Sequence, residues 1–185
     1  MIDLYHIESE QAVIGALLID PNAHDRIDWL KESDFYREDH AAIYRQIIAM
    51  ISANQPIDVI TVAEALESSG VSSEYIGLAY LGDLAANTAS SANITRYAQV
   101  VADKKRSRDL LFASSQIADL AGDESKPVVE RIDEAQALIF SLAEEMSTDE
   151  EPEVISSVLP AVVDDIQKRF DNGGAITRSE ERRVG

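Results

Sequence analysis

The side chains best suited to chemistry in this sequence are its three histidines and its many carboxylates. A metal site requires two or more ligands at helical spacing together with an acidic third ligand. Asp20 and His24 are four residues apart, but Pro21 interrupts any helix between them. Glu38 and His40 point in different directions on a helix because they are only two residues apart. The pattern therefore predicts surface or capping histidines and no metal site.

Adjacent acidic residues are abundant, since the chain has 34 Asp and Glu. A catalytic carboxylate pair needs a pocket that shifts one of the two pKa values, and nothing in the sequence indicates such a pocket. We interpret as solvated faces the pairs Glu8/Glu10, Asp164/Asp165 and Glu144/Glu145.

Glycine-rich motifs that cradle phosphates are absent from the sequence. None of the eight glycines begins a G-x-x-x-x-G-K-[ST] loop, and neither G-x-G-x-x-G nor G-x-S-x-G occurs. Without cysteine there are no disulfides and no thiolate metal ligands. The sequence therefore predicts no catalytic residue, no cofactor-binding residue and no metal ligand in this chain.

The balance of charge argues against non-specific binding of nucleic acid. A net charge of −18 repels phosphate backbones. One basic cluster, Lys104-Lys105-Arg106-x-Arg108, lies inside a helical pattern. This cluster could contact a phosphate group or an acidic partner. We favour the alternative, a solvated helix face whose positive charge balances the acidic rest of the chain.

The amino terminus has no basic segment followed by an apolar run, so it is not a signal peptide. No stretch approaches the roughly 18 consecutive apolar residues of a membrane span. We expect a cytoplasmic protein.

Helical periodicity dominates the first half of the chain and strand patterns are nearly absent. Val13, Ile14, Leu17 and Leu18 repeat on one face of a helix, and a further helix is predicted over 38–52. The next helix begins either at a capping box that starts at Thr61 or at Asp58, three residues earlier. We predict an all-α protein whose residues 1–92 form a small helical globular domain.

Two long helical patterns follow, Ile94 to Ala121 and Val128 to about Glu145, joined by a short turn. They predict an antiparallel helical hairpin at residues 93–146. Such a hairpin cannot bury both of its faces against itself. Its spare apolar face needs a partner, often a second copy of the chain.

Residues 147–177 begin as an acidic linker and continue as one amphipathic linker helix. An isolated short helix is unstable in water, so it must dock on something outside its sequence neighbourhood. Residues 178–185 form a separate tail.

Several blocks resemble, in order and spacing, the amino-terminal region of bacterial replicative DNA helicases of the DnaB family. The first is residues 8–18, with the pattern E-x-E-Q-x-V-I-G. The second is Asp34-Phe35-Tyr36 followed by His40 and Ile43, and the third is the turn at residues 56–61. The last runs from Tyr80 through Asn87-Thr88 to residues 92–98.

The resemblance implies an amino-terminal collar in which hairpins of neighbouring subunits pair and six copies form a ring. It implies that primase binds the collar and that a helicase loader is a further partner. ATP, Mg and single-stranded DNA would be bound by a motor domain of the full-length protein, which unwinds duplex DNA. The linker helix would dock on the motor domain of the adjacent subunit.

We therefore predict a partner interface and a docking surface. The predicted interface residues are Tyr97, Val129, Ile132 and Leu138. The predicted docking residues of the linker helix are Val162, Val163 and Ile166.

Two alternatives stay open at this point. The chain could be a free-standing adaptor that binds primase or a loader without a motor, or a small acidic-site enzyme or metal hydrolase. The tail has no counterpart in the family, which predicts an incomplete or chimeric reading frame from about Arg178.

Overall fold

A computed structural model describes residues 4–70 and 76–148 of the chain, with side chains as far as residue 144. These residues contain no strand, so the predicted all-α class is confirmed. The α-helices are α1 (Ile7–Ile19), α2 (Glu38–Ser52), α3 (Val59–Ser68), α4 (Leu78–Asn87), α5 (Ile94–Gly122) and α6 (Val128–Thr148). Short 3₁₀ helices lie at Pro21–Arg26, Glu32–Asp34 and Ser91–Asn93.

Helix α1 is the centre of the core. Val13, Ile14 and Leu17 have no exposed surface, and the helix is buried on almost all sides. A helix that is apolar all round is expected to be enclosed in this way. Helices α2, α4 and α5 pack around it, and α3 packs on α2 and α4.

Gly15 allows α1 and α4 to approach closely. A Cβ atom at this position would overlap the Thr88 hydroxyl and the Leu84 carbonyl oxygen. Thr88 is itself held in place, because its hydroxyl donates to the Leu84 carbonyl oxygen at 2.9 Å. Only glycine therefore fits where the two helices cross.

The start of α3 is decided by Asp58. Its Oδ1 accepts the backbone N–H groups of Ile60 and Thr61, each at 2.8 Å, and the Thr61 hydroxyl accepts the Asp58 N–H at 2.9 Å. The capping box predicted to start at Thr61 is therefore wrong, and the alternative three residues earlier is correct. A carboxylate that accepts two orphan N–H groups is a stronger cap than a threonine hydroxyl. The Thr61 N–H also holds the pKa of Asp58 below its usual value.

Helix α5 serves two parts of the fold. Its first turns contribute Ile94, Ala98, Val101 and Ala102 to the core around α1. Further along, residues 110–112 are exposed. The boundary between the predicted globular domain and the predicted hairpin, at residue 92, stays a prediction. Helix α5 begins two residues later and continues without a break from the core into the hairpin.

Helices α5 and α6 form the antiparallel hairpin that the sequence predicts. The side chain of Arg131 donates to the carbonyl oxygen of Ala121 at 2.7 Å, which ties the start of α6 to the end of α5. The predicted helix limits agree to one residue for α5 and to three for the end of α6. Among the described residues, none of the helices combines the length and apolar character that a membrane span requires.

The helix crossing at Gly15 makes a stability test. We expect Gly15→Ala to lower the free energy of unfolding by about 1–3 kcal/mol, since the new methyl group has no space and the backbone must shift. Gly82→Ala is the matched control, because Gly82 lies inside α4 with open space around it. Alanine favours a helix interior over glycine, so this variant should be as stable as the parent or more so. Urea unfolding of both proteins measures the difference, and equal losses would contradict the close approach.

The Asp58 cap predicts a pH dependence. Because its pKa is lowered on folding, its stabilisation is present above the ordinary value of 3.8 and is lost as pH falls through the folded value. Asp58→Asn keeps a good cap without the titrating group. Between about pH 7 and about pH 3, the urea midpoint of unfolding should therefore fall further for the parent than for the variant. An equal fall would show that Asp58 does not titrate as the geometry requires.

Candidate functional site

The outer face of α6 carries an exposed apolar stripe. Ile132 follows Val129 by three residues, and Ile139 and Phe140 follow Ile132 by seven and eight, so the four residues share one side of the helix. We define the α6 stripe as Val129, Ile132, Ile139 and Phe140. The side chains of Val129, Ile132 and Phe140 are 70%, 52% and 64% accessible to solvent. Two exposed polar side chains lie on the same side: Asp133 is one turn after Val129, and Gln136 is one turn after Ile132.

Leu138 points to a different side of the same helix. It is half-buried and lines a groove of about 610 Å³ between α5 and α6. The other residues of this hairpin groove are Gln116, Asp119, Leu120, Asp123, Glu134 and Ala137. The structure therefore separates the predicted interface residues, with Val129 and Ile132 in the stripe and Leu138 in the groove.

Part of the acidic charge in the hairpin groove is balanced within the hairpin. Lys126 Nζ lies 2.6 and 2.8 Å from the two carboxylate oxygens of Glu134, which raises the pKa of Lys126. The hydroxyl of Ser125 donates to Asp123 and keeps the pKa of that carboxyl below its usual value. These pairs hold the turn that joins the two helices.

Tyr97 lies away from the α6 stripe, on the first turn of α5. It is half-buried against the core and lines a second cavity together with residues of α1 and α4. The structure therefore does not bring Tyr97 together with the other predicted interface residues.

The basic cluster of α5 is engaged within the protein. Lys105 pairs with Asp109 and Arg106 pairs with Asp103. Arg108 donates to the carbonyl oxygens of Leu4 at 2.9 Å and Asp34 at 2.6 Å. Its guanidinium also lies over the ring of Tyr36. The cluster is half-buried and its charges are balanced within the protein, so it is not the solvated face that the sequence favoured, and Arg108 holds two chain segments on α5.

A buried polar network links α1, α2 and α4. Glu10 is 2% exposed, and His40 has no exposed surface. The Oε2 atom of Glu10 lies 2.7 Å from His40 Nδ1, and His40 Nε2 lies 2.6 Å from the hydroxyl of Tyr80. Glu10 also accepts the N–H groups of Tyr36 at 2.6 Å and Arg37 at 3.4 Å. Every polar atom of the carboxylate and the imidazole thus has a partner, as a buried charged group requires.

The buried network corrects two sequence interpretations. Glu10 was expected on a solvated face, and His40 was expected at the surface or as a cap. Glu10 precedes Val13 and Ile14 by three and four residues, and His40 precedes Ile43 and Tyr44 in the same way. Both polar residues therefore lie on the buried faces of their helices. This spacing is the signal in the sequence that indicates burial, whereas the spacing between possible ligands does not.

His6 agrees with the predicted capping role of a histidine. Its Nδ1 accepts the Ser9 N–H at 3.1 Å, at the start of α1. The imidazole thus satisfies one of the backbone donors that a helix leaves unpaired at its first turn.

The same network positions an exposed aromatic pair. Tyr36, held by Glu10 through its backbone, stacks on Tyr5 with ring centroids 4.6 Å apart. Across residues 4–70 and 76–148, no three histidine, aspartate or glutamate side chains lie close enough together to hold a metal ion.

A family model described as the DnaB-like helicase N terminal domain matches residues 2–103. The chain belongs to the DnaB-like helicase N-terminal domain family. The replicative DNA helicase DnaB of Pasteurella multocida is 34% identical over 169 residues, and that of Haemophilus influenzae is 33% identical over 178 residues. These alignments cover 88% and 92% of this chain but only 36% and 37% of the relatives. The chain therefore spans a little more than a third of the length of the curated DnaB relatives that it matches.

Solved structures of this family have the same fold. The crystal structure of the N-terminal domain of DnaB helicase from Mycobacterium tuberculosis is 31% identical, with a TM-score of 0.69. The match covers 76% of this chain and 99% of the Mycobacterium tuberculosis chain. A DnaB-like replicative helicase, described with its interactions with primase, shares the fold at 23% identity and a TM-score of 0.64. That match covers 88% of this chain and 36% of the other. The resemblance to the DnaB family that the sequence indicates is confirmed.

The predicted docking residues Val162, Val163 and Ile166 lie outside the described residues. Their role therefore stays a prediction.

The network around Glu10 makes a second stability test. We expect Glu10→Gln to lower the free energy of unfolding by about 2–4 kcal/mol, because an amide cannot accept from the imidazole and both backbone N–H groups at once. Glu8→Gln is the matched control on the same helix, since that side chain is exposed, and its effect should stay within about 0.5 kcal/mol. Denaturant unfolding of both variants measures the difference. Similar effects would mean that the buried carboxylate does not hold these elements together.

Proposed function

We propose that this chain is the assembly and recruiting part of a replicative DNA helicase. In this role it pairs with a second copy through the α6 stripe and binds primase through the hairpin. The observation that carries the proposal is the exposed apolar stripe on α6, on the side of the helix away from α5. Apolar residues at helical spacing are the pattern by which helices pair with one another. Membership of the DnaB family and the fold shared with a helicase that interacts with primase support it.

Six copies would complete a ring in the full-length protein. The rest of that protein would bind ATP and Mg, contact single-stranded DNA and unwind duplex DNA, and a helicase loader would be a further partner. The cytoplasm is the compartment in which we expect this work. The family relatives, which are named replicative DNA helicases, support these assignments.

A charged residue in the α6 stripe tests self-association. Ile132→Glu should weaken pairing of the chain at least about tenfold, because a carboxylate would be buried without a partner. Since Ile132 is about half-exposed in the single chain, the helical content should not change. Sedimentation velocity measures the association, and circular dichroism measures the helicity.

Ser141→Glu is the matched control for this substitution. It adds the same charge to α6, and Ser141 is exposed but lies outside the stripe. We expect it to associate like the parent. A parent chain that is a strict monomer at high micromolar concentration would refute the pairing, and so would equal weakening by both substitutions. Titration with purified primase tests the second half of the proposal, and no binding by a paired parent chain would refute that half alone.

A further inference from the structure

The cavity beside Tyr97 takes no part in the proposed self-association. It has a volume of about 540 Å³ and lies between α1, α4 and the segment that leads into α5. This is within the range of pockets that bind ligands or side chains in proteins. Tyr97, which lines the cavity, belongs to α5, whereas the α6 stripe is on the other helix of the hairpin. Pairing through the stripe does not use these residues.

The charged side chains that line the cavity have one sign, and Arg37 lies outside this lining with its guanidinium 6.0 Å from the centroid of the Tyr80 ring. Among the described residues, its lining includes the carboxylates of Glu8 and Asp83, and no lysine or arginine. The Glu8 side chain is 81% exposed at the rim, and its Oε2 atom lies 3.6 Å from His6 Nδ1. Two tyrosine rings, Tyr80 and Tyr97, complete the wall. Carboxylates beside aromatic rings form a site for a cation, since both attract positive charge.

The remaining polar groups suit a peptide backbone. The cavity is also lined by Gln11, Asn87, Thr88, Ser90 and Asn93. In the part of the chain that the structure describes, the side-chain amides of Asn87 and Asn93 make no hydrogen bond within the protein. An amide has both a donor and an acceptor, which is what a peptide unit needs. A protonated polyamine would bring three or more charges to only two carboxylates and has no acceptor for the amide N–H groups.

The walls of the cavity are held firmly. The hydroxyl of Tyr80 lies 2.6 Å from His40 Nε2 and 3.3 Å from the Gln11 amide nitrogen, so the ring cannot turn away. The hydroxyl of Ser90 accepts the Ala92 N–H at 3.1 Å and shapes the segment before α5. A preformed wall reduces the entropy lost when a partner binds.

We propose that this cavity binds the basic side chain, arginine or lysine, of an extended segment of a partner protein. The carboxylates of Glu8 and Asp83 would pair with the cation, Tyr97 would lie against it, and Asn87 and Asn93 would bond to the neighbouring peptide groups. The site stands independently of pairing through the α6 stripe.

Selective ¹⁵N labelling of tyrosine makes a direct test with the full chain. Tyr80 and Tyr97 report on the cavity, while Tyr5 and Tyr36 report on the separate aromatic pair. The probe is an acetylated, amidated pentapeptide with one central arginine, and its control has citrulline, which is neutral, in the same position. We expect the arginine peptide to shift the amide signals of Tyr80 and Tyr97 and to leave those of Tyr5 and Tyr36 unchanged. The citrulline peptide should bind at least about fivefold more weakly.

Substitutions then separate a defined site from general attraction to an acidic protein. The double variant Glu8→Gln, Asp83→Asn should weaken binding at least about fivefold. Glu64→Gln, Glu67→Gln removes the same charge from exposed positions of α3 and should bind like the parent. Equal losses in both variants, or shifts of Tyr5 and Tyr36 as large as those of Tyr80 and Tyr97, would overturn the proposal. Spermidine that shifts Tyr80 and Tyr97 as effectively as the peptide would overturn it in favour of a site for small cations.

Discussion

The arrangement of the other elements depends on the hydrogen bonds that the carboxylate of Glu10 makes. It is buried on α1, yet it contacts α2 through His40 and the loop before α2 through the N–H groups of Tyr36 and Arg37. Tyr80 extends the network to α4. Removing a charged group from water is unfavourable unless its hydrogen bonds are replaced, so these partners must all be present together. An alternative packing of the same helices would leave the carboxylate unsatisfied.

This requirement has consequences at the surface. Because the loop at residues 35–37 is held by Glu10, Tyr36 is presented in a defined position and stacks on Tyr5. Arg108 holds the same region from the side of α5, through the carbonyl oxygens of Leu4 and Asp34. The network also fixes the Tyr80 ring that lines the cavity beside Tyr97. The interior polar contacts therefore organise surfaces that protein partners can reach.

Helix α5 belongs both to the core and to the hairpin. The apolar side chains of its first part are enclosed by the core. The hairpin that it builds with α6 has too little surface of its own to enclose every apolar side chain, so the α6 stripe remains exposed. An exposed stripe of this kind is unfavourable in an isolated chain and is typical of a surface that associates. One continuous helix thus contributes buried residues to the core at its start and forms the hairpin with α6 further along.

The all-α class, the limits of the long helices and the family could be predicted from the sequence, because each follows from local periodicity or from blocks of contiguous residues. The exposed stripe of α6 was predicted for the same reason at Val129 and Ile132, which follow the helical repeat. The cap of α3 is ambiguous in the sequence, since both Asp58 and Thr61 satisfy the local pattern. The folded backbone decided it, because Asp58 accepts two N–H groups at once.

Other features depend on residues far apart in the chain. Glu10, His40 and Tyr80 are separated by thirty and forty positions, and no local pattern states that they meet. Leu138 belongs to the groove rather than the stripe because α5 faces that side of α6. The sequence by itself determined which segments are helical and which faces are apolar, since these depend on neighbouring residues. The tertiary structure alone decided which polar groups are buried together and which apolar face stays open, because those depend on how the helices pack.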